Sequence, residues 1–358
     1  MGLPALNIIF QSAAREAAKR AERGVVGMII KDANVPEQNP AIVYKKKDIP
    51  EKLSAENKAQ IELALKGNTN TPSKVVVYVL GTSALDYKAA LAHFALKKVN
   101  WLACPSITTD KQEKAVADWI KEQRKGRNKV KAVLPNQAAD DEGVINFATT
   151  DADINEKKYT TEQFCSRIAG LIAGTPLTES ATFVTLPEVT GCTIMDREAA
   201  DAAIDAGKFI LFYDGEKVKT GRAVNSLTTL TPEKQAPWQK IKVVDTMDMI
   251  HDDLILLVEE YYIGKYTNIF DHKCLLLTAI KEYFQELARI GVLDSYNVDF
   301  DVDAIRDYLV LKRGFKRDAV EAMPDAEVKK QYTDEKVFLR ADVTIADVME
   351  DVTLKVAM

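Results

Sequence analysis

Histidine is scarce in this chain: three residues in 358, beside three tryptophans and four cysteines. His93, His251 and His272 stand alone, with no H-x-x-x-H pair, which leaves little for acid–base catalysis or zinc ligation. Cys104, Cys165, Cys192 and Cys274 lie far apart without a C-x-x-C pair, so neither a zinc knuckle nor a disulfide framework is indicated, and buried, reduced thiols are expected. Long apolar runs are also missing. Leu254–Val258 and Cys274–Leu277 fall far short of the roughly 18 residues of a membrane-spanning helix. Net positive charge is lacking too: 48 basic residues face 53 acidic ones, giving −5, so there is no general field for gripping nucleic acid or an anionic membrane. The N-terminus, Met1-Gly2-Leu3-Pro4, has no basic stretch or cleavage site of a leader, and a protein made in the cytoplasm is expected.

What is present is a folded chain: 47% of residues are hydrophobic, and the length suits about two domains. Leu6, Ile8 and Phe10 alternate with polar or opposite-face neighbours, a strand-like arm ahead of a helix-favouring run from Ser12 to Glu22. The body starts near Arg23. Strands are expected at Gly24–Ile30 and Ala41–Tyr44. From Ser73 a βαβ rhythm follows: strand Lys74–Leu80, helix Ala84–Leu96, strand Val99–Ala103, helix Asp110–Arg124, and strands Val130–Leu134 and Gly143–Phe147. Thr160 or Thr161 caps a helix through Ala173, a second helix follows Asp196, and Asp214-Gly215 predicts a tight hairpin between Phe209–Tyr213 and Val218. Beyond Thr231-Pro232 the pattern predicts strand Lys240–Val244, helices Met247–Tyr262 and Phe270–Ile290, and a half-buried strand from Val337 to Ile345. Val352, Leu354 and Val356 then alternate with Thr353 and Lys355, a second strand-like arm.

The fold class is α/β plus α+β: an α/β sheet domain followed by a mixed C-terminal domain, with strand-forming arms at both ends. The expected divisions are an N-terminal arm at 1–22, the α/β domain at 23–230, the second domain at 231–345 and a C-terminal arm at 346–358.

No catalytic constellation emerges. Gly81-Thr82-Ser83-Ala84-Leu85 follows a strand but carries one glycine where a dinucleotide site needs three. Asp245, Asp248 and Asp252 share one helical face near His251 and Asp253 and could hold a metal, yet acidic residues in early helical turns also simply offset the helix dipole. Gly221–Thr229 is a distinctive polar stretch without the spacing of a nucleophile elbow. A cytoplasmic α/β enzyme binding a nucleotide near Gly81, or a metal at Asp245–Asp253, is the alternative; the leading expectation is no enzyme, no cofactor and no metal. The ends differ in charge: residues 1–47 hold eight basic and four acidic residues, whereas the chain from Asp294 holds ten basic and fifteen acidic. Complementary ends suit head-to-tail contacts, which build rings or open helices, as well as pairing within one chain.

Several stretches together resemble the contractile tail sheath proteins of bacterial viruses and phage-tail-like bacteriocins, in the short form found in prophages of Gram-positive bacteria. They are Arg23-Gly24-Val25-Val26-Gly27-Met28, Ile168–Leu177 with Ser180-Ala181-Thr182, Ala206-Gly207-Lys208, Arg222–Thr229, and Tyr262-Ile263-Gly264-Lys265 with Asn268. The resemblance implies a structural subunit that stacks as hexameric rings around an inner tube and contracts to drive the tube through a target cell envelope. Its partners would be other copies of itself, the tube protein, and baseplate and terminator or collar proteins, without nucleic acid or membrane insertion. It also implies assembly in the bacterial cytoplasm, residence in a virion tail or released particle, a second domain facing the tube, and arms that add strands to sheets of adjacent subunits. Leu6, Ile8, Phe10, Val352, Leu354 and Val356 are then the inter-subunit contacts.

Overall fold

A computed structural model of the chain describes residues 23–357. These form two compact units, residues 23–248 with 347–357, and residues 249–346.

The first unit is built on a seven-stranded sheet. Its strands are β1 (Val25–Asp32), β2 (Ala41–Val43), β3 (Lys74–Gly81), β4 (Trp101–Ala103), β5 (Lys131–Pro135), β6 (Val144–Phe147) and β9 (Lys208–Phe209), in the order β2-β3-β1-β4-β5-β6-β9. All neighbours run parallel except β2, which pairs antiparallel with β3. A parallel sheet covered on both faces wants apolar residues at every position. That is why Val25–Ile30 reads as an unbroken hydrophobic run, and all six residues are buried. Met28, Ile30, Val77 and Phe147 meet Ile61 of helix α1 (Ala55–Leu65) and Phe164, Ile168 and Leu171 of helix α4 (Thr161–Ala173) on one face. On the other, Ile29, Val76, Leu102 and Leu134 meet Phe94 of helix α2 (Lys88–Leu96) and Ile120 of helix α3 (Glu113–Lys125).

The βαβ reading thus holds, with shifts of a few residues at helix starts. Helix α4 opens with the expected cap: the Thr160 hydroxyl accepts the Gln163 N–H, and the Gln163 side chain accepts the Thr160 N–H. Helix α1 has no counterpart in the sequence reading. Its apolar residues form no clean stripe, and Gln60 is as buried as its neighbours. It is anchored instead by Asp32 at the end of β1, whose carboxylate accepts N–H bonds from Asn34, Ser54 and the Asn57 side chain. At the closest approach of α1 and α4, a Cβ on Gly170 would overlap the Ala64 carbonyl. Gly24, at φ +70°, performs a similar service at the start of β1, where a Cβ would stand 2.9 Å from the Ala173 carbonyl oxygen.

A small hairpin, β7 (Ala152–Ile154) and β8 (Lys157–Tyr159), also escaped the sequence reading. Its two loop residues, Asn155 and Glu156, both take positive φ without a glycine. Helix α5 (Arg197–Asp205) starts at Asp196, whose carboxylate accepts the Ala199 N–H. The expected strand at Phe209–Tyr213 is divided: β9 joins the main sheet, and β10 (Leu211–Tyr213) pairs with β11 (Val218–Thr220). Their connection is a four-residue loop rather than a two-residue Asp-Gly turn, because Tyr213 pairs with Val218 and Asp214 Oδ1 accepts the N–H groups of Glu216 and Lys217.

Helix α6 (Ile241–Tyr261) corrects the expected strand at Lys240–Val244. Ile241–Val244 are all buried, so no period distinguishes strand from helix there. The line between the two units falls within α6, after Asp248. In the second unit, helix α7 (Phe270–Arg289) matches its expected span and ends before Gly291, at φ +75°. Strand β12 (Leu293–Phe300) pairs antiparallel with β13 (Leu339–Ile345) in a two-stranded ribbon. A bulge between Leu293 and Ser295 changes the parity of β12, so Leu293, Val298 and Phe300 are all buried. That break in alternation hid the strand in the sequence. Helices α8 (Val302–Leu311), α9 (Arg317–Glu321) and α10 (Asp325–Val328) complete the unit, with Ile305, Leu309, Val320 and Val328 buried.

Candidate functional site

The C-terminal segment is where the structure leaves bonding capacity unused. Residues 346–357 take no regular secondary structure. Val352, Leu354 and Val356 are 82%, 81% and 75% exposed, respectively, and alternate with exposed Thr353 and Lys355. This is the pattern of a strand without a partner. Leu6, Ile8 and Phe10 lie outside the described residues.

The root of this segment is fixed to the first unit by its acidic residues. Asp347 pairs with Lys240. Glu350 Oε1 accepts a 2.6 Å bond from the Thr182 hydroxyl, and Ser180 Oγ lies 3.4 Å away. Asp351 takes both its oxygens to Arg222 Nη2, at 2.8 and 2.9 Å. The Arg222 pKa is pushed up, chiefly by this hydrogen bond. Burial pushes the Asp347 carboxyl up, but Lys240 and the Val348 N–H outweigh it and hold it below the ordinary carboxylate range.

In the second unit, the β12–β13 ribbon is two-stranded, and among the described residues no strand lies beside the outer edge of either. β12 is held from one side: Tyr296 stacks on Phe284 of α7 at 6.2 Å, and Phe300 on Phe270 at 5.8 Å. The expected half-buried character of β13 is a different matter. Arg340–Thr344 are exposed on both faces and only Leu339 and Ile345 are partly covered. The turn leading into β13 is locked by Asn268, whose Nδ2 donates to the Asp334 and Lys336 carbonyls at 2.7 and 2.9 Å. Tyr308 donates to Asp334 at 2.7 Å, which pushes its phenol up to about 12.

The Asp245–Asp253 cluster is dispersed among partners. Asp248 forms a bidentate pair with Arg124, at 2.8 and 3.1 Å, and accepts a 2.6 Å bond from Lys131. Lys131, 2% exposed, also reaches Asp245 at 2.9 Å and lies over the Trp101 ring at 5.0 Å. Burial pushes the Asp248 carboxyl up, but Lys131 and Arg124 together hold it below the usual range. The position a metal would take is already occupied by two side-chain cations. Asp252 pairs with His251, and Asp253 accepts the Tyr283 hydroxyl. The signal the sequence reading passed over was Lys131 itself, a lone cation in an apolar strand that had to find carboxylates.

The other candidates also resolve into scaffold. After Gly81 the chain makes a turn closed by the Ala84 N–H, and α2 begins only at Lys88, so no helix N-terminus faces the strand end as a dinucleotide site requires. Ser226 donates its hydroxyl to the Asp141 carbonyl and its N–H to the Val144 carbonyl of β6, and Asn225 donates to the Trp238 carbonyl and accepts the Leu227 N–H, so these two residues hold β6 and the entry to α6. All four cysteines are free, Cys104 and Cys165 buried and the other two partly exposed. No described helix is long and apolar enough to cross a membrane.

Two protein-family models match in series: the phage tail sheath protein central domain over residues 80–226 and the phage tail sheath C-terminal domain over residues 233–358. They define the class as a phage tail sheath protein. The tail sheath protein of Clostridium phage phiCD119 is 35% identical over 364 aligned residues, covering 100% of this chain and 99% of that protein. The chain belongs to the contractile phage tail sheath family. Solved structures agree on the fold. A sheath tail protein from Listeria innocua superposes with a TM-score of 0.67 at 18% identity, covering 81% of this chain and 91% of its own. The helical sheath of the anti-feeding prophage in its contracted state does so with a TM-score of 0.70 at 13% identity, covering 100% of this chain and 99% of its own.

Proposed function

We propose that this subunit polymerises as hexameric rings around an inner tube, within a tail joined to baseplate and terminator or collar proteins, and that it contracts to drive the tube through a target envelope. Assembly takes place in the bacterial cytoplasm, with the domain after about Thr231 facing the tube. The observation that supports this reading is the exposed C-terminal segment, in which Val352, Leu354 and Val356 alternate with Thr353 and Lys355 and, among the described residues, enter no sheet, in a chain that also offers the two-stranded β12–β13 ribbon. A neighbour's arm laid against such an edge gains main-chain hydrogen bonds, and its alternating side chains set the register. Leu6, Ile8 and Phe10 act in the same way at the other end of the chain.

The energetics favour templated growth. Burying Val352, Leu354 and Val356 gains roughly 5–9 kcal/mol, while ordering about six residues costs roughly 6–12 kcal/mol. One arm alone is close to balance. Ladder hydrogen bonds add about 1 kcal/mol each, and once one contact forms the others become effectively intramolecular. Subunits therefore stay dispersed until a nucleus, supplied by the baseplate and tube, holds several contacts together.

The test is a pair of variants, deletion of residues 1–12 and Leu354→Asp, examined by electron microscopy and thermal melting. Both should fold with a melting temperature near that of the parent and form no sheath. Undiminished assembly by both would refute the arm assignment.

A further inference from the structure

Ser180, Thr182 and Arg222, from two of the family-like stretches, place polar groups beside the root of the C-terminal segment. Thr182 Oγ1 receives the Ala223 N–H at 3.0 Å and Ser180 Oγ lies 2.9 Å from it, so the hydroxyl's own proton is directed outward to Glu350. Ser180 in turn accepts the Thr182 N–H at 3.1 Å. Arg222 and Lys240 flank this pair and carry the cations that meet Asp351 and Asp347. One oxygen of Glu350, Oε2, is buried without a hydrogen bond and lies 3.7 Å from the Arg222 guanidinium.

We propose that Ser180, Thr182, Arg222 and Lys240 form a receptor for the acidic segment Asp347–Asp351 and that this receptor fixes where the C-terminal arm leaves the body. The inference rests on the arm reading given above and adds its anchor. Three carboxylates at positions 347, 350 and 351 meet two cations and a preset hydroxyl, so the ligand class is a short acidic peptide with D-x-x-E-D spacing. Val352 comes directly after the last clasped residue, so a fixed Asp351 sets both the starting point and the facing of Val352, Leu354 and Val356. The clasp uses exposed or half-exposed ion pairs around one buried contact: the Asp351 side chain is 79% exposed and that of Glu350 9%. It is therefore strong enough to orient the arm and open enough to let go.

The experiment is a charge exchange in the full chain: Arg222→Asp, Asp351→Arg, and the two combined, with Glu350→Gln as an independent variant. Hydrogen exchange of the Ala223 amide, which donates to Thr182 of the clasp, and of the Val348 amide, which donates to Asp347, is followed in the dispersed subunit, and tube formation by electron microscopy. Loss of one exposed, hydrogen-bonded ion pair should accelerate exchange at these amides by about twofold to fivefold. Each single variant, Glu350→Gln included, should show this acceleration and form fewer tubes, and the double exchange should restore both toward the parent. Unchanged exchange in the single variants, or a double variant no slower than the singles, overturns the receptor. Failure of the arm reading is separately visible, because Leu354→Asp would then assemble normally whatever the exchange rates at Ala223 and Val348.

Discussion

Replacing Asp248 by Asn isolates the buried charge cluster of the first unit. The substitution keeps the size of the side chain but removes the charge that faces Arg124 through two bonds and Lys131 through a third. Lys131, 2% exposed, is left with Asp245 alone, and Arg124, 8% exposed, with Glu142 at 3.7 Å. Breaking a buried pair by removing one partner costs about 3–5 kcal/mol, because the remaining charges stay buried and undercompensated. A folding unit of this size shifts by roughly 2–4 °C per kcal/mol, so its melting transition should fall by about 6–20 °C. Adding Lys131→Met removes one surplus cation, and the double variant should recover about 0.5–3 kcal/mol relative to the sum of the two single losses. Differential scanning calorimetry of the four proteins reads this directly. If Asp248→Asn costs under about 1 kcal/mol, as an exposed pair would, or if the two substitutions add without coupling, the cluster is not the buried unit described here.

Gly170→Ala drives a methyl group into the Ala64 carbonyl across the α1–α4 contact, and should destabilise the first unit by about 1–3 kcal/mol in denaturant titration. Acid should act through carboxylates whose folded values are depressed. Burial pushes Asp32 up, but N–H donors from Asn34, Ser54 and Asn57 outweigh it and hold it at about 2, and Asp248 is also held low. Their contribution is complete above the unfolded value near 4 and is lost as pH falls through the folded values. Unfolding free energy should therefore decline steeply between about pH 4 and pH 2, and Asp32→Asn should flatten that decline.

Much of the first unit could be read from the chain because its parallel strands are largely apolar and its helices carry explicit caps at Thr160 and Asp196. The reading failed where tertiary context decides. Ile241–Val244 resembles a strand because every residue is buried, and only the cluster on Asp245 and Asp248 declares it the start of a helix. β12 was hidden by its bulge, and α1 by a buried glutamine in place of a stripe. At the candidate site the alternation of Val352, Leu354 and Val356 was plain in the sequence, although the segment itself takes no regular secondary structure. Its anchor was not, because Thr182, Arg222 and Glu350 are separated by up to 168 residues and meet only through the fold.

The central claim is that this chain is a sheath subunit that polymerises through its arms. Negative-stain electron microscopy of the concentrated full-length protein, with and without purified tail tubes, tests it most directly. Hollow, transversely striated cylinders with sixfold end views should form, most readily on tubes, and should be absent in Leu354→Asp. Uniformly small particles at high concentration in the presence of tubes would contradict it.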